Sequence, residues 1–204
     1  MNLPNKITIS RIFIVPLFML FVIPLPEWML NSNILEFARP TLISINDFIL
    51  NYGNYIGAII FIIAASTDGV DGYIARKTKQ ITNMGIFLDP IADKLLITAA
   101  LIALVERNEI SGWAAMIIIA RELLISGFRI VAASEGIILA AGKLGKLKTV
   151  TQIVAIVASL VRNFPLSLVS DFPFDSYIMF LAVIITIYSG YDYLARNSKV
   201  LEKR

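Results

Sequence analysis

Long apolar segments, separated by short charged stretches, run along most of this 204-residue chain and limit the folds open to it. Charged residues make up only 16% of the chain, below the roughly 25% usual in soluble domains, and the mean hydropathy is +0.77. The apolar segments are close to the roughly 20 residues that a helix needs to cross a bilayer, although the fifth is shorter. The first covers approximately 9–25, the second runs from about Tyr55 into the aspartate-containing stretch that begins at Asp68, and the others cover approximately 85–105, 112–133, 148–161 and 177–194. The sequence therefore predicts an all-α polytopic membrane protein with six transmembrane helices, in one domain of residues 1–204.

Two N-terminal stretches are less regular. Residues 2–8 predict an interfacial segment that leads into the first helix, in which Pro16 favours a kink. The stretch 26–53 mixes prolines and charged residues with apolar ones, which predicts a loop containing one short helix.

The loop charges predict an orientation in the membrane. One set of alternate loops carries most of the cations, and the other set carries mainly acidic residues. The cationic set comprises Lys6, Arg11, Arg76, Lys77, Lys79, Lys143, Lys146, Lys148, Arg196, Lys199, Lys203 and Arg204. Because cytoplasmic loops are enriched in Lys and Arg, we expect both termini and the basic face to lie in the cytoplasm of a bacterium, beneath its plasma membrane.

Composition also excludes several kinds of chemistry. The chain has no Cys and no His, so disulfides, thiolate metal sites, histidine bases and phosphohistidine intermediates are not possible. The net charge is +3, but the cations lie at the ends of apolar segments. Membrane topology and anionic headgroups explain these cations better than nucleic acid does, so no nucleic-acid partner is expected.

Four carboxylates stand between two apolar segments, where a charge costs about 2.5–3.5 kcal/mol at mid-bilayer. Asp68 and Asp71 share one helix face, Asp89 and Asp93 share another, and a basic loop joins the two stretches. Four charges at close range need cations, and hard oxygen ligands suit two Mg²⁺ or Mn²⁺ ions. Carboxylates at helix N-termini or surface turns are the simpler interpretation, but the spacing between two apolar segments favours metal binding.

These residues belong to a longer pattern that resembles, without a departure, the signature of the CDP-alcohol phosphatidyltransferase family. The pattern has eight fixed positions in 26 residues: Asp68, Asp71, Gly72, Ala75, Arg76, Gly85, Asp89 and Asp93. The resemblance implies that the four aspartates bind two metal ions and that Asp93 also acts as a general base. It further implies that Asp68, Asp71 and the Gly, Ala and Arg positions contact the cytidine diphosphate of CDP-diacylglycerol. The small residues could equally serve close helix packing.

Cations elsewhere in the chain bear on the second substrate that the resemblance implies, the alcohol that accepts the phosphatidyl group (the acceptor). Arg121 and Arg129 are eight residues apart and share a face of the fourth predicted span. A pairing of Arg121 with Glu122 is not expected, because neighbouring residues on a helix point in different directions. Lys148 begins the fifth span and is interpreted as a ligand of a substrate phosphate, whereas Lys143 and Lys146 could equally be an anchor for anionic lipid.

The N-terminal NLPNKITISR, the Arg121-Glu122 pair and the GKLGKLKT segment are similar to family members that use glycerol 3-phosphate as the acceptor. The resemblance implies that Arg121, Arg129, Lys148, Thr8 and Arg11 bind the acceptor phosphate, and it implies a homodimer in contact with membrane lipids. Thr8 and Arg11 could instead be a helix cap and a topogenic cation.

Two alternatives stay open on the sequence alone. The same aspartates would serve a family member with another acceptor, such as inositol phosphate or phosphatidylglycerol. A divalent-cation transporter could also place carboxylates between spans, but it gives the Gly, Ala and Arg positions of the pattern no role.

Overall fold

The computed structural model describes the backbone of residues 3–78, 83–137, 139, 142–170 and 172–197. It describes their side chains except at 3–8, 33–35, 68–78, 83–90, 93 and 143. Every regular element in these ranges is helical, as predicted. The α-helices are α1 (Leu3–Val22), α2 (Glu27–Leu30), α3 (Arg39–Thr78), α4 (Asn83–Glu106), α5 (Gly112–Ser134), α6 (Lys143–Leu160) and α7 (Phe174–Arg196), with 3-10 turns at Asn33–Ala38 and Leu166–Leu168.

Long helices lie at each of the six predicted spans. Among the described residues, two stretches are long and apolar enough to cross a membrane by length and composition, Glu36–Thr67 and Phe174–Arg196, and Ile9–Val22 is a shorter apolar helix. This is consistent with a membrane protein. The number of six transmembrane helices stays a prediction.

The prediction of a loop through residue 53 is wrong from residue 39 onward. The short helix α2 is present, but α3 begins at Arg39 and continues for 40 residues into the aspartate pattern. Pro40 lies in the first turn, where a helix needs no N–H donor. Asn51 donates to the carbonyl oxygen of Asp47 at 2.9 Å, and both residues are exposed. The polar residues therefore lie on the surface of a helix and do not interrupt it.

The chain divides into two compact units, and the first is Met1–Glu109. Here α1 packs against α3 and α4, and α3 contacts α4. The buried rings of Phe18 in α1 and Phe61 in α3 have centroids 6.3 Å apart. Two glycines of α3 allow α1 to come close: a Cβ at Gly53 would lie 2.2 Å from the carbonyl oxygen of Phe21, and one at Gly57 would lie 2.2 Å from Val22 Cγ2.

The second unit is Ile110–Arg204, in which α7 packs against both α5 and α6. Ser111 caps α5 by accepting a hydrogen bond from the Trp113 N–H. The connection between α6 and α7 is closed by Asn163, whose side chain donates to Asp175 Oδ1 at 2.8 Å and accepts from the Asp175 N–H at 2.7 Å. The buried stripe of α7 consists of Met179, Ala182, Thr186, Ser189, Gly190 and Tyr193.

Candidate active site

The backbone of the aspartate pattern is helical on both sides of the connection, as predicted. Asp68 and Asp71 belong to α3, and Asp89 and Asp93 belong to α4, two helices that contact each other in the first unit. Of the other pattern positions, α3 contains Gly72, Ala75 and Arg76, and α4 contains Gly85. The side chains of all eight residues lie outside the described part of the chain. Among the side chains that are described, no group of three or more His, Cys, Asp or Glu could hold a metal ion.

The second unit contains a cluster of cations, called here the basic cluster: Arg121 and Arg129 of α5 and Lys148 of α6. Arg121 Nη2 donates to Ser189 Oγ at 2.9 Å, and Arg129 Nε donates to the Tyr193 hydroxyl at 3.0 Å. The Arg121 and Lys148 side chains are only 12% and 8% exposed. The cations predicted to share a helix face are therefore held by α7.

Glu122 belongs to the same cluster. Its Oε1 forms an ion pair with Lys148 Nζ and lies 3.6 Å from Arg121 Nη1. The expectation that Arg121 and Glu122 do not pair is wrong, because the long arginine side chain brings its guanidinium back to the neighbouring carboxylate although the Cα–Cβ bonds diverge. The carboxylate also gives Lys148 a protein partner, which the sequence interpretation did not include.

The charge balance of this region favours an anion. Three cations and one carboxylate leave a formal charge of two positives (three minus one) in a part of the molecule where three of the four side chains are at most 17% exposed. Paired charges in a partly desolvated position interact more strongly than they do in water. The region can bind a group with two negative charges, such as a phosphate monoester.

The two N-terminal candidates lie in the first unit. Arg11 is on α1 and is 1% exposed, so it is a buried cation and not only a charge at the membrane surface. Thr8 belongs to the same helix, and its side chain lies outside the described residues. Their predicted role at the acceptor phosphate stays a prediction.

Sequence reasoning missed the α7 partners of the basic cluster. Thr186, Ser189 and Tyr193 are polar residues at helical spacing within an apolar segment, and all three are buried. Polar side chains in a membrane helix commonly hydrogen-bond to a neighbouring helix. This spacing was the available signal. It also accounts for Gln152 of α6, whose Nε2 donates to Thr186 Oγ1 at 2.9 Å.

Comparison with known proteins gives consistent findings. The model of the CDP-alcohol phosphatidyltransferase family matches residues 1–188. A protein of Bacillus subtilis named CDP-diacylglycerol–glycerol-3-phosphate 3-phosphatidyltransferase is 43% identical over 201 residues, which cover 98% of this chain and 97% of the relative. Proteins of the same name from Rickettsia felis and Haemophilus influenzae are 31% and 32% identical, covering 97% and 95% of this chain and 96% and 91% of their own lengths.

Proposed function

The chain belongs to the CDP-alcohol phosphatidyltransferase family, and from this premise we propose that it transfers the phosphatidyl group of CDP-diacylglycerol to glycerol 3-phosphate. The products are phosphatidylglycerol phosphate and CMP, and the enzyme is a transferase of phospholipid biosynthesis. The observation that carries the proposal is the 43% identity, over nearly the full length of both chains, to a relative named for this reaction.

The aspartates Asp68, Asp71, Asp89 and Asp93 would bind two divalent cations, Mg²⁺ or Mn²⁺. Their carboxylates are the hard oxygen ligands that these ions prefer, and the helical backbone of α3 and α4 supports the spacing on which this assignment depends. Bound there, the ions would supply charge neutralisation at the diphosphate of the lipid substrate.

Asp93 would act as the general base. Its carboxylate accepts the proton of the C1 hydroxyl of glycerol 3-phosphate while the hydroxyl oxygen forms a bond to the phosphorus that carries diacylglycerol. The bond from that phosphorus to the oxygen of the CMP phosphate breaks, and CMP leaves with the electron pair. A direct transfer of this kind needs no covalent enzyme intermediate, which suits a chain without Cys or His.

The remaining pattern residues would bind the cytidine diphosphate group. Gly72, Ala75 and Gly85 leave room beside the helices, and Arg76 supplies a cation for the phosphate or the base. We propose that this end of α3 and α4 faces the cytoplasm, where the charged substrates are, while the acyl chains stay in the lipid. We also propose a homodimer.

The basic cluster would bind the phosphate of glycerol 3-phosphate. Its formal charge of two positives matches a phosphate monoester, which carries about two negative charges at neutral pH. Guanidinium groups suit phosphate because they donate parallel hydrogen bonds. We assign Arg121, Arg129 and Lys148 to this site, and a role of Thr8 and Arg11 at the acceptor phosphate stays a prediction from the family resemblance.

The test is CMP release by purified protein given CDP-diacylglycerol, Mg²⁺ or Mn²⁺, and one acceptor at a time. We expect release with glycerol 3-phosphate, and none with inositol phosphate, phosphatidylglycerol or serine. A chelator should abolish release, and added Mg²⁺ or Mn²⁺ should restore it. CMP release with a different acceptor would overturn the acceptor assignment. If no acceptor led to CMP release, the proposed reaction would be overturned.

The Asp93→Asn variant tests the base. We expect it to lower kcat by at least about 100-fold, since general acid–base catalysis contributes roughly 100- to 10,000-fold. Asp47→Asn is the matched control, because Asp47 lies on the same helix as two of the aspartates and its side chain is exposed. The control should keep wild-type activity, and an equal loss in both variants would contradict the assignment.

A further inference from the structure

We infer that Ser189, Gly190 and Tyr193 of α7 are positioning residues, which hold Arg121 and Arg129 in the arrangement that binds the phosphate of the acceptor. The inference rests on the proposed function, since it concerns the glycerol 3-phosphate site of that reaction. It assigns to one face of α7 a role in acceptor affinity. The arginines touch the phosphate, and the α7 residues act through them.

The Arg121 side chain lies against two consecutive residues of α7. Its Nη2 donates to Ser189 Oγ at 2.9 Å, and Ser189 is 2% exposed. A Cβ placed on Gly190 would lie 3.1 Å from Arg121 Cγ and 3.6 Å from Nε. The aliphatic part of the arginine therefore lies on the backbone of α7 where a larger residue would displace it. Glu122 Oε1 contacts the opposite Nη1 atom, so both ends of the guanidinium are held.

Arg129 is held by a single aromatic side chain. Its Nε donates to the Tyr193 hydroxyl at 3.0 Å, and its Cζ lies 5.2 Å from the centre of the Tyr193 ring. The ring itself is fixed by an edge-to-face contact with Phe128, at a centroid distance of 6.1 Å and an angle of 83°. Tyr193 also packs in a buried group with Ile125 and Ala132. A rigid ring therefore presents its hydroxyl to an otherwise exposed arginine.

The spacing of these contacts draws the two arginines together. Arg121 and Arg129 are eight residues apart on α5, about 12 Å along the helix axis. Their partners Ser189 and Tyr193 are four residues apart on α7, about 6 Å. Without α7, two long side chains with many rotamers would sample a wide range of separations. The contacts hold both on the α7 side, so less conformational entropy is lost when one phosphate binds to them.

The pattern of donors agrees with this role. Tyr193 takes the Nε donor of Arg129, and that bond does not use either Nη group. Guanidinium groups have five N–H donors, and the Nη groups can bind phosphate while Nε is held by protein. A residue that merely filled space beside α5 would need no hydroxyl at this position.

The test compares Tyr193→Phe with Tyr191→Phe, two substitutions of the same chemistry on one helix. Tyr191 is 72% exposed and serves as the control. In Tyr193→Phe the ring contacts remain and only the hydroxyl is lost, so the fold is preserved. We expect the KM for glycerol 3-phosphate to rise about tenfold or more, from the loss of one hydrogen bond to a charged group, while the KM for CDP-diacylglycerol stays within about twofold. Tyr191→Phe should leave both values unchanged.

Ser189→Ala and Gly190→Ala extend the test to Arg121, with Ser134→Ala and Gly127→Ala as controls on α5. Ser134 is exposed and bonds only its own helix in the described structure, at the Val131 carbonyl, and a Cβ at Gly127 would meet nothing within 4 Å. Ser189→Ala should raise the KM for glycerol 3-phosphate by more than about threefold, because a hydrogen bond to a charged group is lost. Gly190→Ala should raise it as well, because the new Cβ would lie 3.1 Å from Arg121 Cγ and displace that side chain. Neither control should change this KM.

Inorganic phosphate supplies a second readout that needs no turnover. Phosphate should raise the thermal unfolding midpoint of the wild type, and this rise should be smaller in Tyr193→Phe. If Tyr193→Phe raised the KM for both substrates equally, the inference would be overturned while the reaction stayed intact. The same holds if Tyr193→Phe left both KM values and the phosphate-induced rise of the unfolding midpoint unchanged. A wild-type protein that releases CMP only with acceptors other than glycerol 3-phosphate would overturn the proposed function, and the inference with it.

Discussion

Arg107 Nη1 donates a hydrogen bond of 2.9 Å to the carbonyl oxygen of Val22, the last residue of α1. The same side chain donates to the carbonyl oxygens of Ile49 at 3.3 Å and Leu50 at 3.0 Å, both in α3. Arg107 follows α4 directly, so one guanidinium joins three helices of the first unit. The Val22 carbonyl is one of the last of α1, which lack partners within the helix and are stabilised by a positive charge, whereas Ile49 and Leu50 lie inside α3.

Arg107→Met is therefore expected to destabilise the first unit by about 2–4 kcal/mol, because hydrogen bonds that involve a charged group contribute about 1.5–3 kcal/mol each. The measurement is the fraction of protein that stays monodisperse after heating in detergent. Arg39→Met is the control, since Arg39 is exposed and its contact to Asn31 is long, at 3.5 Å. If the two variants lost monodispersity at the same midpoint temperature, the three contacts would add nothing to stability.

Gly57→Ala should destabilise the contact between α1 and α3. The new Cβ would lie 2.2 Å from Val22 Cγ2 and 3.3 Å from Phe18 Cε2, and both of those side chains are fully buried. Overpacking of this kind costs about 1–3 kcal/mol. Gly127→Ala in α5 meets nothing within 4 Å, so it should be neutral or slightly stabilising.

A second substitution makes the Gly57 prediction specific. Val22→Ala removes the methyl group that the new Cβ would meet. The loss of stability in the Gly57→Ala/Val22→Ala double variant should therefore be smaller than the summed losses of the two single variants, by about 1 kcal/mol or more. Thermal unfolding midpoints of the four proteins give this coupling. Strictly additive effects would mean that the two side chains do not compete for the same space.

Much of the first unit could be predicted from the sequence, and the errors have physical causes. Carboxylates three and four residues apart predicted helices at the aspartate pattern, and the backbone is helical there. The start of α3 was missed because Pro40 and Asp47 interrupt the hydropathy of the segment. Proline is tolerated in a first helical turn, and a polar residue can lie on an exposed helix face, so neither interrupts the helix.

The basic cluster shows a different limit to what can be predicted from the sequence. Its cations could be identified by type and spacing, but their partners depend on which helices meet. Ser189 and Tyr193 lie more than 60 residues from the arginines that they contact. The expectation that Arg121 and Glu122 do not pair was wrong, because residue spacing describes the direction of Cβ and not the position of a guanidinium at the end of a long side chain.

Glu122→Ala is expected to destabilise the second unit by about 3 kcal/mol or more, because it leaves Lys148 and Arg121 without their carboxylate in a position of low exposure. Asp192→Ala is the comparison, since the Arg196–Asp192 pair is exposed on the arginine side and should contribute less than about 1 kcal/mol. Thermal unfolding of both variants checks the difference.

The double variant Glu122→Leu/Lys148→Met separates stability from function. It removes one charge of each sign, so the formal charge of the cluster is unchanged, and it replaces a buried ion pair by apolar side chains, which is often neutral for stability. We expect the double variant to recover most of the stability that Glu122→Ala loses, while its KM for glycerol 3-phosphate is higher than that of the wild type, because Lys148 is missing from the phosphate site. Recovered stability together with a wild-type KM would show that Lys148 has only a structural role.

The buried hydrogen bond between Gln152 Nε2 and Thr186 Oγ1 predicts that removing one partner costs more stability than removing the other. Thr186→Val keeps the shape of the side chain but leaves the Gln152 amide without this partner, and the Oε1 atom already has no hydrogen-bond partner in the described structure. The expected cost is about 1–3 kcal/mol. Gln152→Met should cost less, because the remaining threonine hydroxyl can turn to a carbonyl of its own helix. The double variant should be close to wild type, since both polar groups are then gone. Thermal unfolding midpoints give this order directly, and a Gln152→Met variant less stable than Thr186→Val would contradict it.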